Sequence, residues 1–196
     1  MTQIKICGLM REQDADVINE VKPDFAGFVF APSRRQISLE TALRFRQIID
    51  DTIPTVGVFV NAPLDEMLTV FRSGAIQYVQ LHGNEPEDTV QALKDAGAKV
   101  FQVYKPDEPI TPTAADYTML DSGAGSGIPL DWKRVPQASH PFILAGGLTP
   151  ENVAEAITTV RPDVVDVSSG VETNKQKDPE KKSEQSLLLL TTTKKR

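Results

Sequence analysis

A chain of 196 residues, 40 % hydrophobic and 24 % charged, is sized for one domain with a substantial core and excludes a disordered polymer. Its net charge of −6, from 21 basic and 27 acidic residues, argues against a nucleic-acid partner but leaves room for a local basic pocket that takes a small anion. The sole cysteine, Cys7, excludes an internal disulfide framework; with no signal-like N-terminus and no apolar stretch of about 18 residues, the expectation is a cytoplasmic protein without a membrane partner.

Eight runs have strand character: 3–7, 25–30, 55–60, 78–82, 99–104, 117–121, 141–145 and 163–168. Helix-period segments fill most of the gaps. "REQDADVINEV" puts Ala15, Ile18 and Val21 on one side. "SLETALRFRQIID" starts at a plausible N-cap, Ser38, and stacks Leu39, Ala42, Leu43, Phe45 and Ile49. "APLDEMLTVFRSG" has Pro63 in its first turn and Gly74 at its end, and "EPEDTVQALKDAG" ends likewise on Gly97. "TPENVAEAITTV" is expected to start with Thr149 as N-cap and Pro150 as first helical residue. The segments after strands 5 and 6 read as short or irregular.

Strand and helix alternating over short connections mean parallel strands with right-handed crossovers. Eight such units predict a (β/α)8 TIM barrel of minimal size, spanning residues 1–196 as a single domain. An open doubly wound sheet is the rival, but it would show a dominant phosphate loop after strand 1, where "CGLMRE" has one glycine.

In a parallel barrel, function gathers at the C-terminal ends of the strands. Cys7, Arg34 and Arg35, Asn61, His82, Asp121, Gly146 and Gly147, and Ser168 to Gly170 all fall there. "AGGLTPEN" and "SSG" follow strands 7 and 8, where backbone N–H groups and a helix N-terminus suit a phosphate; a simple tight turn is the alternative for Gly146 and Gly147. "DSGAGSGIPLDW" lacks the lysine of a P-loop and reads as a mobile loop over the mouth. Alternation puts Lys5 and Cys7 on one face of strand 1, and Asp166 and Ser168 on one face of strand 8. A buried lysine needs a partner, so a Lys5–Asp166 ion pair is expected inside the barrel below Cys7.

"KICGLM", "GFVFAPSRRQIS", "VGVFVN", "VQLHGNE", "LDSGAGSGIPLDW", "LAGGLTPENV" and "DVSSGVE", in order from about residue 3 to 179, closely resemble the phosphoribosylanthranilate isomerase family. These are small (β/α)8 barrels of tryptophan biosynthesis. The resemblance implies an Amadori rearrangement of N-(5-phosphoribosyl)anthranilate to 1-(2-carboxyphenylamino)-1-deoxyribulose 5-phosphate, with no metal and no cofactor. It implies Cys7 as the base that takes the proton from C2′ and Asp121 as the acid that opens the furanose ring. A thiol titrates near 8.5, so the base role requires nearby positive charge. By the same resemblance Arg35 holds the anthranilate carboxylate, and Gly146, Gly147, Ser169 and Gly170 grip the phosphate. Arg34 is expected to be a solvated charge. His82 is expected to line the pocket without a chemical role.

The partner is thus a phosphorylated small molecule, with a monomer as the expected state and a homodimer as the alternative. One departure lies in residues 180–196, where "KKSEQSLLLLTTTKKR" stands in place of an amphipathic last helix and reads as an atypical tail. Two other classes stay open at this stage: another phosphosugar isomerase, epimerase or aldolase on the same barrel, and a non-catalytic binding barrel.

Overall fold

In the computed structural model, which describes residues 2–106, 108–121, 132, 141–173 and 176–177, the eight apolar runs form parallel strands. They are β1 (Gln3–Cys7), β2 (Phe25–Val29), β3 (Thr55–Phe59), β4 (Tyr78–Leu81), β5 (Lys99–Tyr104), β6 (Tyr117–Asp121), β7 (Phe142–Ala145) and β8 (Val164–Val167). Neighbours in sequence pair in parallel, and β1 pairs with β8 through Gln3 to Ile6, so the sheet closes. The expected (β/α)8 barrel is therefore the observed one, and the open sheet is excluded. Several strands stop one residue earlier than the apolar runs. Phe30 and His82 still donate to Val58 and Phe59 of the neighbouring strand, but the chain then turns away, making them the first loop residues.

Helices α1 (Glu12–Val21), α2 (Leu39–Ile48), α3 (Leu64–Arg72), α4 (Glu87–Asp95) and α5 (Val153–Val160) cover the outside. Ser38 caps α2, accepting from Thr41 N at 3.2 Å. Pro63 is the N-cap of α3 and not a residue of its first turn, since its extended backbone (ψ 141°) precedes the helix. Ile4, Ile6, Phe28, Phe45, Val79 and Leu120 belong to one continuous core between strands and helices. The described residues between β5 and β6 hold no helix. The loop at 122–131, expected to cover the mouth, and the tail at 180–196 lie outside the described residues.

Alternate strand residues point inward and stack in layers fed by alternate strands. The lowest layer is Phe25, Tyr78, Tyr117 and Val164, and the next is Lys5, Val56, Phe101 and Ile143. Phe101 packs edge-on or tilted against Phe25, Tyr78 and Tyr117, with centroids 5.6, 5.2 and 4.8 Å away, which plugs the lower end. Above come Gly27, Gln80, Met119 and Asp166, then Cys7, Val58, Val103 and Ala145. The interior thus changes from aromatic rings at the bottom, through Lys5, Gln80 and Asp166 in the middle, to small and medium side chains at the top.

The lower rim carries a repeated device. The residue just before each even-numbered strand grips the start of the preceding odd one with two hydrogen bonds. Asp24 accepts from Ile4 N (2.8 Å) through its side chain and donates its own N–H to Ile4 O (3.0 Å). Gln77 treats Thr55 in the same way (2.8 and 2.9 Å), as does Asp116 with Val100 (2.9 and 2.9 Å) and Asp163 with Phe142 (2.7 and 2.9 Å). Each bracket satisfies a strand N–H that the ladder leaves open, and it ties the strands two by two.

Asp163→Ala orphans the Phe142 N–H and should cost about 1–3 kcal/mol in urea unfolding. It should leave chemistry at the opposite end unchanged. Asp116 also meets Lys94 at 3.0 Å and Lys99 at 3.4 Å. Partial burial opposes its charge, but the Val100 bond and the two lysines prevail and hold its carboxyl below the ordinary value of 3.8. Its stabilisation is therefore present above the unfolded-state value and disappears as pH falls through the lowered one. Asp116→Asn should lose about 0.5–1 kcal/mol at pH 7, and the difference from wild type should vanish in unfolding titrations carried well below about pH 4.

Candidate active site

Above the apolar layers a cavity of about 440 Å³ opens at the C-terminal ends of the strands. Cys7, the last residue of β1, is buried in its wall, and it sits there because β2 supplies no side chain opposite. A Cβ on Gly27, its partner in register, would lie 2.8 Å from Cys7 Sγ and 3.0 Å from Cys7 Cα. Ser168 Oγ donates to the Cys7 carbonyl at 3.1 Å, tying the end of β1 to that of β8.

Beneath the thiol, fully buried Lys5 places Nζ 3.0 Å from Asp166 Oδ2, the two residues being register partners across the β1–β8 seam. Burial works against the Lys5 ammonium, yet attraction to Asp166 and to Cys7 more than offsets it, so its pKa stands above the ordinary 10.5. Burial pushes the Asp166 carboxyl up; Lys5 pulls against it, while Asp121 across the cavity adds to the rise. Asp166 keeps 9 % of its side chain open to the cavity.

On the opposite wall, His82 Nε2 lies 3.2 Å from Asp121 Oδ2, and His82 Nδ1 lies 3.0 Å from Gln80 Nε2. Gln80 is buried in the layer below. With its amide donating, Nδ1 is the acceptor, and the imidazole presents its proton to Asp121 from Nε2. The expected pocket residue His82 is thus in direct contact with the expected acid. Alternation on β4 would have put Gln80 and His82 on one face, but nothing in the chain order joins either to Asp121.

Arg35 reaches the mouth from the loop after β2. It makes a two-pronged contact with Glu172, Nε to Oε1 at 2.9 Å and Nη2 to Oε2 at 3.3 Å. Its stem passes so close over Gly8 that a Cβ there would run into Cδ. Arg34 is not simply the solvated charge expected: its side chain is 42 % exposed, yet Nη2 meets the same Glu172 at 3.0 Å. Glu172 opens β9 (Glu172–Thr173), which pairs antiparallel with β10 (Gln176–Lys177) beyond β8. Sequence reading missed it, because 137 residues separate it from Arg35.

Gly146 and Gly147 both take left-handed backbone angles (φ 92° and 63°), a conformation that side-chain-bearing residues rarely adopt. The helix after them starts later than expected. Its N-cap is Asn152, not Thr149, and its first residue is Val153, not Pro150. Thr149 O instead accepts from Asn152 N and Val153 N in a lead-in turn. Asn152 closes that turn, accepting from Thr149 N at 2.8 Å and donating to Gly147 O at 2.9 Å. Ser169 and Gly170 lie in a 3-10 turn (Ser169–Val171), and Gly170 abuts the Leu148 carbonyl so closely that no side chain fits. The loops after β7 and β8 are therefore packed into one floor beside the cavity.

A family model described as N-(5′-phosphoribosyl)anthranilate (PRA) isomerase matches residues 4–184. The chain belongs to that family. It is 51 % identical over 181 residues to the N-(5′-phosphoribosyl)anthranilate isomerase of Lacticaseibacillus casei (strain BL23), covering 92 % of this chain and 91 % of the relative. Its fold superposes on the phosphoribosyl anthranilate isomerase of Thermus thermophilus with a TM-score of 0.87 and 32 % identity, over 97 % of this chain and 99 % of the other. It also matches a phosphoribosyl anthranilate isomerase solved in complex with reduced 1-(o-carboxyphenylamino)-1-deoxyribulose 5-phosphate. There the TM-score is 0.80 and the identity 31 %, over 97 % of this chain and 100 % of that one.

For a phosphoribosylanthranilate isomerase the described mouth is well furnished: a thiol and a carboxylate face one another, a guanidinium lies at the rim, and a glycine-rich floor lies beside them. The tightness around the thiol gives a direct check. Gly27→Ala should displace Cys7 Sγ and lower kcat by about tenfold to a hundredfold, with a small change in KM, in steady-state assays of the purified variant.

Proposed function

We propose that this cavity carries out the Amadori rearrangement of N-(5-phosphoribosyl)anthranilate to 1-(2-carboxyphenylamino)-1-deoxyribulose 5-phosphate, with Cys7 as base and Asp121 as acid. The observation that carries the assignment is their placement on facing walls of one cavity beside the glycine floor. Membership of the family makes the chain an isomerase of tryptophan biosynthesis.

The chemistry needs two proton movements, one to the ring oxygen and one from C2′, by groups on the two sides of the bound sugar. Asp121 gives its proton to the ring oxygen, the bond from that oxygen to C1′ breaks, and the anilino nitrogen lone pair forms the C1′=N bond of a protonated Schiff base. The Cys7 thiolate then takes the proton from C2′, and the released electron pair forms C1′=C2′ and neutralises the nitrogen. The resulting enolamine tautomerises to the aminoketone. The protons given and taken balance, so substrate and product have the same composition and the site has only to hold both ends still and exclude competing water.

Holding falls to the rim. The phosphate fits the floor, where the left-handed glycines expose backbone N–H groups and Ser169 and Gly170 face the cavity. The anthranilate carboxylate fits Arg35, whose planar fork is already spread by Glu172. Binding then exchanges or shares one carboxylate for another at the same guanidinium. His82 orients the Asp121 carboxyl. The reading includes a monomeric, cytoplasmic protein, with residues 1–196 as one barrel domain and 180–196 as its atypical tail. Light scattering on the purified protein tests the monomer. Among the described residues no helix is long and apolar enough to cross a membrane.

The substrate's anthranilate group fluoresces and its signal falls on conversion, which makes turnover directly readable. Cys7→Ser and Asp121→Asn should each lower kcat by about a hundredfold or more while leaving substrate affinity largely intact. Full turnover in either variant would sink the assignment. Arg35→Ala should instead raise KM about tenfold or more, and an unchanged KM would place the carboxylate elsewhere.

A further inference from the structure

Lys5 is the charged member of its interior layer. The other members of its interior layer are Val56, Phe101 and Ile143, all apolar, and well-packed hydrophobic groups commonly replace a buried ion pair without loss of stability. The ammonium meets Asp166 at 3.0 Å, and Lys5 stands two residues before Cys7 on the same inward face of β1, directly below it. We propose that Lys5 is a positioning residue for the reaction: its ammonium, shared between Asp166 and the Cys7 sulfur, holds Cys7 as the thiolate, and Asp166 limits how strongly. The proposal deepens the reading of Cys7 as base and rests on it.

The charges around Cys7 support this division. From β8 comes Asp166, from β6 Asp121, from the loop after β4 His82 and from the loop after β2 Arg35, whose charge faces Glu172. His82 is engaged with Asp121. Strands β2, β3 and β7 bring only Gly27, Val29, Val58 and Ala145 to this level. Among the described residues Lys5 is thus the cation committed to the thiol from below. A fully buried ammonium would ordinarily shed its proton, yet this one is held above its usual range by Asp166 and Cys7 together. In the reaction the thiol first gives its proton to solvent through the mouth. The thiolate then receives the C2′ proton, and Lys5 keeps its own proton throughout.

Cys7 is the only cysteine in the chain, so alkylation by iodoacetamide as a function of pH reads its ionisation without reference to activity. The wild-type midpoint should lie below the ordinary thiol value of about 8.5. Lys5→Met should raise it by about one pH unit or more, slowing alkylation at neutral pH about tenfold, with the acid limb of kcat/KM moving alongside. Asp166→Asn should move the midpoint the opposite way. A purely structural pair predicts no shift, or shifts of one sign, and either result overturns the proposal. If Lys5→Met does not fold, Asp166→Asn decides: a lowered midpoint supports the proposal, and an unchanged or raised one overturns it. A wild-type midpoint at or above 8.5 overturns it without any variant. Opposite shifts combined with full turnover in Cys7→Ser would uphold Lys5's control of the thiol and remove Cys7 from the chemistry.

Discussion

The Lys5–Asp166 pair is the interaction around which the rest of this barrel is arranged. It joins β1 to β8, the one strand pairing that connects the two ends of the barrel, and it does so in the interior at a point where the two residues are register partners. Two charges withdrawn from water are tolerable only if each keeps the other, and losing one partner of such a pair costs about 3–5 kcal/mol. A one-residue slip of β8 against β1 would turn Asp166 toward the helices and leave Lys5 alone. The pair therefore selects the register of closure, and that register sets Cys7 and Ser168 side by side at the mouth.

Above and below the pair the interior has opposite characters. Beside and below it, Phe101, Phe25, Tyr78 and Tyr117 pack ring against ring and fill the barrel. Above it, small residues at Gly27 and Ala145 leave space that Cys7, His82 and Asp121 surround. The volume for a ligand thus comes from omitted side chains as much as from the polar ones present. The aromatic plug also places apolar groups beneath the ion pair, where charges are screened less than in water.

The two rims divide their work in the same way. Asp24, Gln77, Asp116 and Asp163 spend their side chains on strand N–H groups at the lower rim, and they repeat at every second strand. Among the described residues the upper rim shows no such repetition. Its polar groups tie one loop to another, as Glu172 does with Arg34 and Arg35, or Asn152 with Gly147 and Thr149. Regular bonding secures the scaffold, and irregular bonding shapes the site.

Much of this was legible in the chain alone. Alternation on β1 and β8 put Lys5 with Cys7 and Asp166 with Ser168, and local periodicity marked all eight strands and five helices, because these depend on neighbours a few residues apart. The loop after β7 was harder. Thr149 and Pro150 look like a helix start, but the Asn152 side chain prefers the loop's own groups and delays the helix. The contacts of His82 with Asp121, and of both arginines with Glu172, were invisible, since they join residues far apart in the chain. By itself the sequence determined the order of strands, the face each side chain takes and the family's motifs. Only the tertiary structure decided which side chains meet, because barrel closure brings distant strand ends within hydrogen-bond reach and no local pattern encodes that distance.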